Sequence, residues 1–421
     1  MLNKLKSESE FSRNVLTLMT GTTIAQAIPI AISPILTRIY TPEDFGVLAL
    51  FIAISSIFGS IANARYDLAI MLPRKDGDAI NILALGFIIT FLISLILLVI
   101  IILFNEYLTN ILNNKEIGIW LYFVPITVFF MGLFNLLNYF NTRKKYYKDI
   151  ANATIIKSII LAITQLSIGF VKSGASGLIG GQVLSQMFAN IRLLKNIVKD
   201  KVLISKIKKV KIIALMKRYQ DFPKFSMWAI LANTLSIHLI NILISSFYSI
   251  TTLGFYSLVQ RVLALPSILI GNSIGQVFFQ QATKEKQASG KIINIFNSTI
   301  KKIFPIGIIF FGTLFMVVES LFAFIFGEEW RIAGEYSQVM VPLFFIRFII
   351  LPFMFIPSIF EKIKVDLYFQ LGLLISYILA FISGQFMDLE FKSFLELMVF
   401  VVTIYYIMYM IFLNNMKYGE K

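Results

Sequence analysis

Three basic residues, Lys157, Arg261 and Arg347, stand inside long apolar runs of this 421-residue chain. An ionisable side chain in the hydrocarbon region costs about 2.5–3.5 kcal/mol on insertion scales, so it faces a cavity, a partner or a route to the interface. At ~1.5 Å of rise per helical residue, Arg261 and Lys157 lie roughly 10 Å from opposite faces and Arg347 roughly 16 Å deep. Two readings stand open for each. Arg261 snorkels or pairs with Gln260, or it lines a cavity that admits an anion, with Pro266 kinking its helix five residues on. Arg347, flanked by Pro342, Pro352 and Pro357, sits in what reads as a broken helix; it takes an anion or forms a salt bridge with Glu319. Lys157 snorkels or joins a cavity. The chemistry these residues suggest is admission of an anion into a cavity within a membrane.

Other candidates are weaker. His238, the single histidine, is a hydrogen-bonded packing residue or a proton carrier, its ordinary pKa of ~6.5 suiting the second role. Glu319 and Asp67 are the other proton-site candidates. Arg65 and Asp67 close the second apolar run; a spacing of two puts them on different helix faces, so separate partners are expected, and an interfacial anchor built with Tyr66 is the alternative. Arg38 ends the first run, with Glu43 and Asp44 close behind it; it is held by local ion pairing or faces a cavity. Gln26, Asn63, Asn233, Gln260 and Asn272 lie among uncharged polar residues on runs 1, 2, 7 and 8. They line a hydrated lumen or make hydrogen bonds between helices.

The chain has no cysteine, and neither an HExxH nor a G-x-S-x-G motif occurs. The glycines at 174, 177, 180 and 181 lack the Lys-Ser/Thr ending of a phosphate loop and read as sites of close helix packing. No metal, nucleotide, cofactor or enzymatic activity is expected.

The elements that must position these residues are membrane helices. The chain is 57% hydrophobic and 14% charged, with a mean hydropathy of +0.80; a soluble protein carries about 25% charged residues. Twelve spans are read, at 14–36, 46–66, 80–104, 117–140, 150–171, 176–194, 224–248, 253–278, 303–326, 336–359, 365–385 and 391–413, most of them long enough to cross a core ~30 Å thick. The first is expected to be a retained span rather than a cleaved signal. Thirty of the 38 Lys and Arg residues fall on the side of the N-terminus and five on the other, which predicts cytoplasmic termini. It also accounts for most of the net charge of +15 without nucleic acid. The expected fold class is an all-α polytopic membrane protein with two six-helix lobes, 1–200 and 224–421, joined by a basic amphipathic segment, 201–223, on the inner leaflet. A calmodulin-like partner site is the other reading of that segment. The last span, mostly aliphatic and aromatic, is expected to face lipid. The halves echo each other: Tyr40 and Gly46 recur as Tyr248 and Gly254, and Ile80-Asn81-Ile82 as Ile293-Asn294-Ile295. That favours a duplicated unit of parallel type.

The stretch Asn14-Val15-Leu16, Gly21, Ile35-Leu36-Thr37-Arg38-Ile39-Tyr40-Thr41-Pro42-Glu43-Asp44-Phe45-Gly46 and Arg65-Tyr66-Asp67-Leu68-Ala69-Ile70 resembles the Wzx-type polysaccharide flippases of the multidrug/oligosaccharidyl-lipid/polysaccharide exporter superfamily. The resemblance implies a V-shaped, MATE-like pair of bundles around a cationic cavity bordered by spans 1, 2, 7 and 8, with sugar contacts for Gln26, Asn63, Asn233, Gln260 and Asn272. It implies transfer of undecaprenyl-pyrophosphate-linked oligosaccharide, an O-antigen or capsule unit, from the cytoplasmic to the periplasmic leaflet of a bacterial inner membrane. Polymerase and chain-length proteins of the pathway would be partners. By position, Arg38 matches the family's arginine at the end of span 1, and Gly254-Phe255-Tyr256 with Arg261 and Pro266 matches its span 8 arginine; Lys157 and Arg347 match no family motif. Two alternatives remain. A cation-drug antiporter of the same superfamily would carry carboxylates deep in its cavity. A polysaccharide polymerase or ligase would need large periplasmic loops, and the longest here has twelve residues, Asn105 to Glu116. A major-facilitator transporter is disfavoured, because Pro73-Arg74-Lys75-Asp76-Gly77-Asp78 stands where its basic signature loop would be.

Overall fold

The structure, a computed structural model, describes residues 2–172, 174–267, 272–362 and 364–419. The side chains of residues 2–16, 19, 272, 273 and 276 also lie outside the described set, and Asn272 is among them. Every regular element among the described residues is helical. In order these are α1 (Leu2–Ile39), α2 (Pro42–Ile61), α3 (Tyr66–Ala69), α4 (Asp76–Ile111), α5 (Ile117–Leu121), α6 (Val124–Arg143), α7 (Tyr147–Gly169), α8 (Ser176–Val198), α9 (Lys201–Ile204), α10 (Lys209–Arg218), α11 (Met227–Phe247), α12 (Ile250–Leu263), α13 (Asn272–Ser289), α14 (Ile293–Phe326), α15 (Arg331–Ile350), α16 (Ile356–Ile359), α17 (Lys364–Phe386) and α18 (Phe391–Met416). Ten helical stretches among the described residues are long and apolar enough to cross a membrane. The other two of the twelve expected spans are α8, whose Gln182, Ser185, Gln186 and Asn190 lower its hydropathy, and 253–278, of which 268–271 lie outside the described residues. A single kinked span was expected there. Among the described residues α12 ends at Leu263, helix resumes at Leu265 and Pro266, and α13 starts at Asn272; the expected kink adjoins residues 268–271, which lie outside the described set.

The chain divides into two compact units, residues 1–234 with 241–251, and residues 235–240 with 252–421. The basic segment 201–223 belongs to the first unit. It is docked there by side chains: Asn81 donates to the Lys206 carbonyl (2.9 Å) and accepts from the Lys208 amide (2.8 Å), and Tyr66 donates to the Met216 carbonyl (3.0 Å). Asn81 of the Ile-Asn-Ile triplet thus ties α4 to the segment. Its echo, Asn294, sits in the first turn of α14, where its amide donates to Glu285 at 2.9 Å.

In the first unit the turn from α1 to α2 is set by local chemistry. Thr41 is the N-cap of α2: its hydroxyl accepts from the Asp44 amide (3.2 Å) and the Asp44 carboxylate accepts from the Thr41 amide (3.0 Å), with Pro42 at the first helical position. This reciprocal pair satisfies two otherwise orphaned donors. The expected pairing of Arg38 with Glu43 or Asp44 is not what holds this turn. Asp44 is committed to the cap, and exposed Arg38 donates instead to the Pro34 carbonyl at 2.8 Å.

Tyr40 anchors the same turn. Its hydroxyl donates to the Gln165 carbonyl at 2.6 Å and fills a slot between α7 and α8 that glycines leave open. A Cβ at Gly177 would stand 2.0 Å from that hydroxyl and one at Gly169 2.6 Å, whereas one at Gly180 would meet nothing nearer than 3.7 Å. Gly177→Val is therefore expected to expel Tyr40 and destabilise the unit by about 1–3 kcal/mol, the usual cost of overpacking. Gly180→Val should leave thermal unfolding in detergent unchanged. Equal midpoints for both variants would contradict this account of the glycine cluster.

In the second unit α15 packs against α14 and α18, and α18 against α17. Pro342 lies within α15 and does not break it; the helix tightens to a 3-10 turn at Leu351–Phe355, where Pro352 falls. The last span was expected to face lipid. Only part of α18 does so, with Phe400 and Met408 exposed, while Phe394, Met398, Val402, Tyr406 and Tyr409 are buried.

Candidate functional site

Two clusters bring expected residues together, one in each unit. In the second unit Arg347, half-buried on α15, is ringed by tyrosines. Tyr406 of α18, Tyr377 of α17 and Tyr256 of α12 lie within electrostatic reach of its charge. The guanidinium carbon stands 5.2 Å from the Phe344 ring centroid and 6.0 Å from that of Tyr406, in cation–π range. All three tyrosines are buried, Tyr256 wholly. The Gln260 amide donates to the Tyr256 hydroxyl at 2.6 Å, which adds the second expected residue to the ring.

Chemically this is a cation held by neutral groups. A carboxylate would cancel the arginine's charge; hydroxyls and π-faces orient it and leave the charge in place. Among the described residues Arg347 has no acidic partner. The salt bridge considered with Glu319 is not formed, because that carboxylate receives Arg331 at 3.2 Å instead. Arg331 also holds Glu328. The reason is positional: Gly334, one turn beyond Arg331 on α15, packs directly on the Glu319 backbone, so Arg331 rather than Arg347 shares its level.

In the first unit Asn63, Arg65 and Asp67 meet at the end of α2. The chain leaves the helix here, with Ala64 at φ 48° and Arg65 at φ 64°, and the Asn63 side chain accepts from the Arg65 amide at 3.0 Å. The left-handed turn swings Arg65 back toward Asp67, and their charged groups stand 3.7 Å apart. Separate partners were expected from helical geometry, and it is the loss of that geometry that makes them a pair. Asp67 is 1% exposed; its Oδ1 and the Arg65 Nε are buried without hydrogen-bond partners among the described residues. Burial pushes the Asp67 carboxyl above the usual range, against the opposing pull of Arg65.

The remaining candidates are dispersed. Lys157 is half-buried on α7 with its ammonium 5.5 Å from the Phe134 ring centroid. Next to it, Ser158 donates to the Ala25 carbonyl at 2.6 Å and binds α7 to α1. Gln26 is half-buried on α1, and Asn233 on α11. His238 is half-buried on α11 with its Nδ1 enclosed and without a hydrogen-bond partner among the described residues. Arg261 is half-buried in the last turn of α12, where a cation also favours the helix's exposed carbonyls. Three members of the Arg347 ring, Tyr256, Tyr377 and Tyr406, were not singled out in the sequence. Tyr256 lay within the family-like Gly-Phe-Tyr stretch; the other two carry no local signal.

Compared with solved structures, the fold is similar to that of lipid II flippase MurJ in an inward closed conformation, with a TM-score of 0.69, 13% identity, and 95% of this chain and 86% of that chain covered. It is similar to the MATE multidrug transporter DinF-BH, with a TM-score of 0.60, 14% identity and 95% of each chain covered. It is also similar to a MOP superfamily transporter from Pyrococcus furiosus, with a TM-score of 0.58, 11% identity, and 96% and 95% covered. At these identities the likeness concerns the fold alone: a multi-pass membrane protein, helical in every regular element among the described residues, with a fold like those of MurJ and the MATE transporters. The family follows from the sequence, since a model described as "Polysaccharide biosynthesis protein" matches residues 35–334. The chain belongs to that family. No curated protein sequence matches it.

Proposed function

We propose that the protein is a flippase that carries undecaprenyl-pyrophosphate-linked oligosaccharide, an O-antigen or capsule repeat unit, from the cytoplasmic to the periplasmic leaflet of a bacterial inner membrane. The observation that carries this reading is Arg347, a cation deep in a membrane helix whose partners are tyrosines and a phenylalanine rather than carboxylates. An anionic head group entering a low-dielectric site needs such an uncancelled charge, and an arginine offers two parallel donors to phosphate oxygens. A cation-drug antiporter would need the opposite charge there. The family's description places the chain in polysaccharide biosynthesis, and a lipid II flippase shares its fold.

In this reading Arg347 and Arg261 receive the pyrophosphate, with Lys157, Arg38 and Arg65 as further cationic stations. Gln26, Asn63, Asn233, Gln260 and Asn272 offer partners to the sugar hydroxyls. Alternation between inward and outward access carries the head group across while the prenyl tail stays in lipid. No bond is made or broken, so the protein is a transporter and not an enzyme. Polymerase and chain-length proteins would take the product on. Return of the empty carrier draws on an ion gradient, with His238, Glu319 or Asp67 taking the proton; one charge crossing 100 mV supplies ~2.3 kcal/mol.

The test is complementation of a flippase-null strain, scored for surface polysaccharide, with Arg38→Ala and Arg261→Ala beside wild type. Both variants are expected to lower the yield, Arg261→Ala more, because Arg38 is exposed and donates to the Pro34 carbonyl of its own helix. Full restoration by both would remove them from the cationic path. Flipping in vesicles with and without a proton gradient tests the coupling, and equal rates would end that part of the reading.

A further inference from the structure

A groove of about 620 Å³ runs along the second unit, where α14, α15 and α18 meet. Its wall is apolar for most of its length, with Phe315, Phe400 and Ile407 each more than 40% exposed. One end is charged. There Glu335 near the start of α15 meets Lys392 near the start of α18 at 3.2 Å, and Glu396 stands one turn further along α18. From Lys392 to Ile407 the helix rises ~22 Å, more than the ~15 Å depth of one leaflet's hydrocarbon. Charged groups at one membrane face and an apolar trough leading inward are the two parts of a site for a lipid: a head group at the interface and a chain along the helices. Mostly apolar walls with a few convergent polar groups are also the usual make-up of small-molecule sites.

We propose that this groove binds a bilayer phospholipid with a primary-amine head group. The charge balance selects the head. Two carboxylates and one ammonium leave the polar end with a net negative charge. Among the described residues Glu396 makes no ion pair, and it is exposed. A phosphoethanolamine offers its ammonium to Glu396 and its phosphate to Lys392. A phosphoglycerol brings only negative charge, and a lipid pyrophosphate brings more, against the same two carboxylates. A phosphocholine is zwitterionic but has no N–H to give. The site is separate from the Arg347 ring and does not depend on which lipid the protein moves.

The experiment is photo-crosslinking of the full chain in nanodiscs with a phosphoethanolamine carrying a diazirine near the end of one acyl chain, with adducts mapped by peptide mass spectrometry. Adducts are expected on residues 399–407 and at Phe315. Unlabelled phosphoethanolamine should compete, whereas phosphocholine and phosphoglycerol should not. Glu396→Gln is expected to cut labelling at this site about tenfold, the loss of one charge-assisted hydrogen bond, and to leave labelling elsewhere unchanged. Phe400→Trp, which fills the trough and keeps every charge, should also cut it, so that the result does not hang on one variant's folding. The proposal is overturned if labelling is the same for all three head groups, if neither substitution changes it, or if a photoreactive undecaprenyl phosphate labels the groove in preference.

Discussion

Arg347→Ala is expected to lower the rate of lipid-linked oligosaccharide flipping by about a hundredfold, with the protein still folded and in the membrane. The magnitude follows from the partners. Removing one side of a desolvated charge pair costs about 2–5 kcal/mol, and ~2.7 kcal/mol is already a hundredfold. In the resting protein the rings lose only π contacts and a nearby charge, since Tyr256, Tyr377 and Tyr406 are neutral hosts rather than counter-ions. The penalty should therefore fall on transport more than on stability. Arg347→Lys keeps the charge but loses the planar fork that both phosphate and the Phe344 and Tyr406 faces meet. An intermediate loss is expected. Tyr406→Phe removes the hydroxyl beside the guanidinium, keeps the ring face and should cost less than either. Initial rates in proteoliposomes, corrected for the amount of reconstituted protein, check the order. Arg347→Ala at the wild-type rate would show that the ring is only structural.

The second large effect is on stability. Arg65→Met is expected to destabilise the first unit by about 3 kcal/mol, because it leaves the Asp67 charge buried and unpaired. Asp67 is 1% exposed and Arg65 18%, so solvent does little to screen the loss. Arg65→Met combined with Asp67→Asn should recover most of it, since no buried charge remains. The pH dependence has a definite sign. Burial already holds the Asp67 carboxyl above its ordinary range while Arg65 pulls it down; without Arg65 it rises further. A carboxyl raised in the folded state binds more protons there than in the unfolded chain, so stability falls as pH rises through the window between the two values. The deficit of Arg65→Met should be full at neutral pH and shrink as pH falls toward ~4, the ordinary carboxylate value. Thermal unfolding in detergent across pH measures it. A deficit that does not change with pH, or a double variant as unstable as the single one, would contradict the pairing.

Much of the architecture was legible because membrane helices announce themselves by length and hydropathy, and the α1–α2 turn because Thr41, Pro42 and Asp44 are adjacent and act locally. What was not legible lay in two kinds of feature. One is backbone conformation without its usual marker: Ala64 and Arg65 take positive φ with no glycine, so an i,i+2 spacing on an assumed helix separated Arg65 from Asp67 when the turn joins them. The other is assembly from distant segments. Tyr256, Tyr377 and Tyr406 are spread over 150 positions of sequence, and only the packing of α12, α15, α17 and α18 puts them around one arginine. Arg347 itself was visible because a charge in an apolar run is costly wherever it is found, but its surroundings were not. Glu319 was matched to the wrong arginine for a related reason: depth along a helix does not say which neighbour stands at that level.

The most direct test is leaflet accessibility of a defined substrate. Purified protein is placed in liposomes with undecaprenyl-pyrophosphate-linked oligosaccharide, and a membrane-impermeant enzyme that cleaves the sugar reports how much reaches the outer leaflet over time. Protein-dependent exposure of the inner-leaflet pool, lost in Arg347→Ala and restored in part by Arg347→Lys, is the predicted result. Exposure no faster than in protein-free liposomes, or equally fast with Arg347→Ala, would contradict the claim that this chain moves an anionic lipid head group through a cationic site.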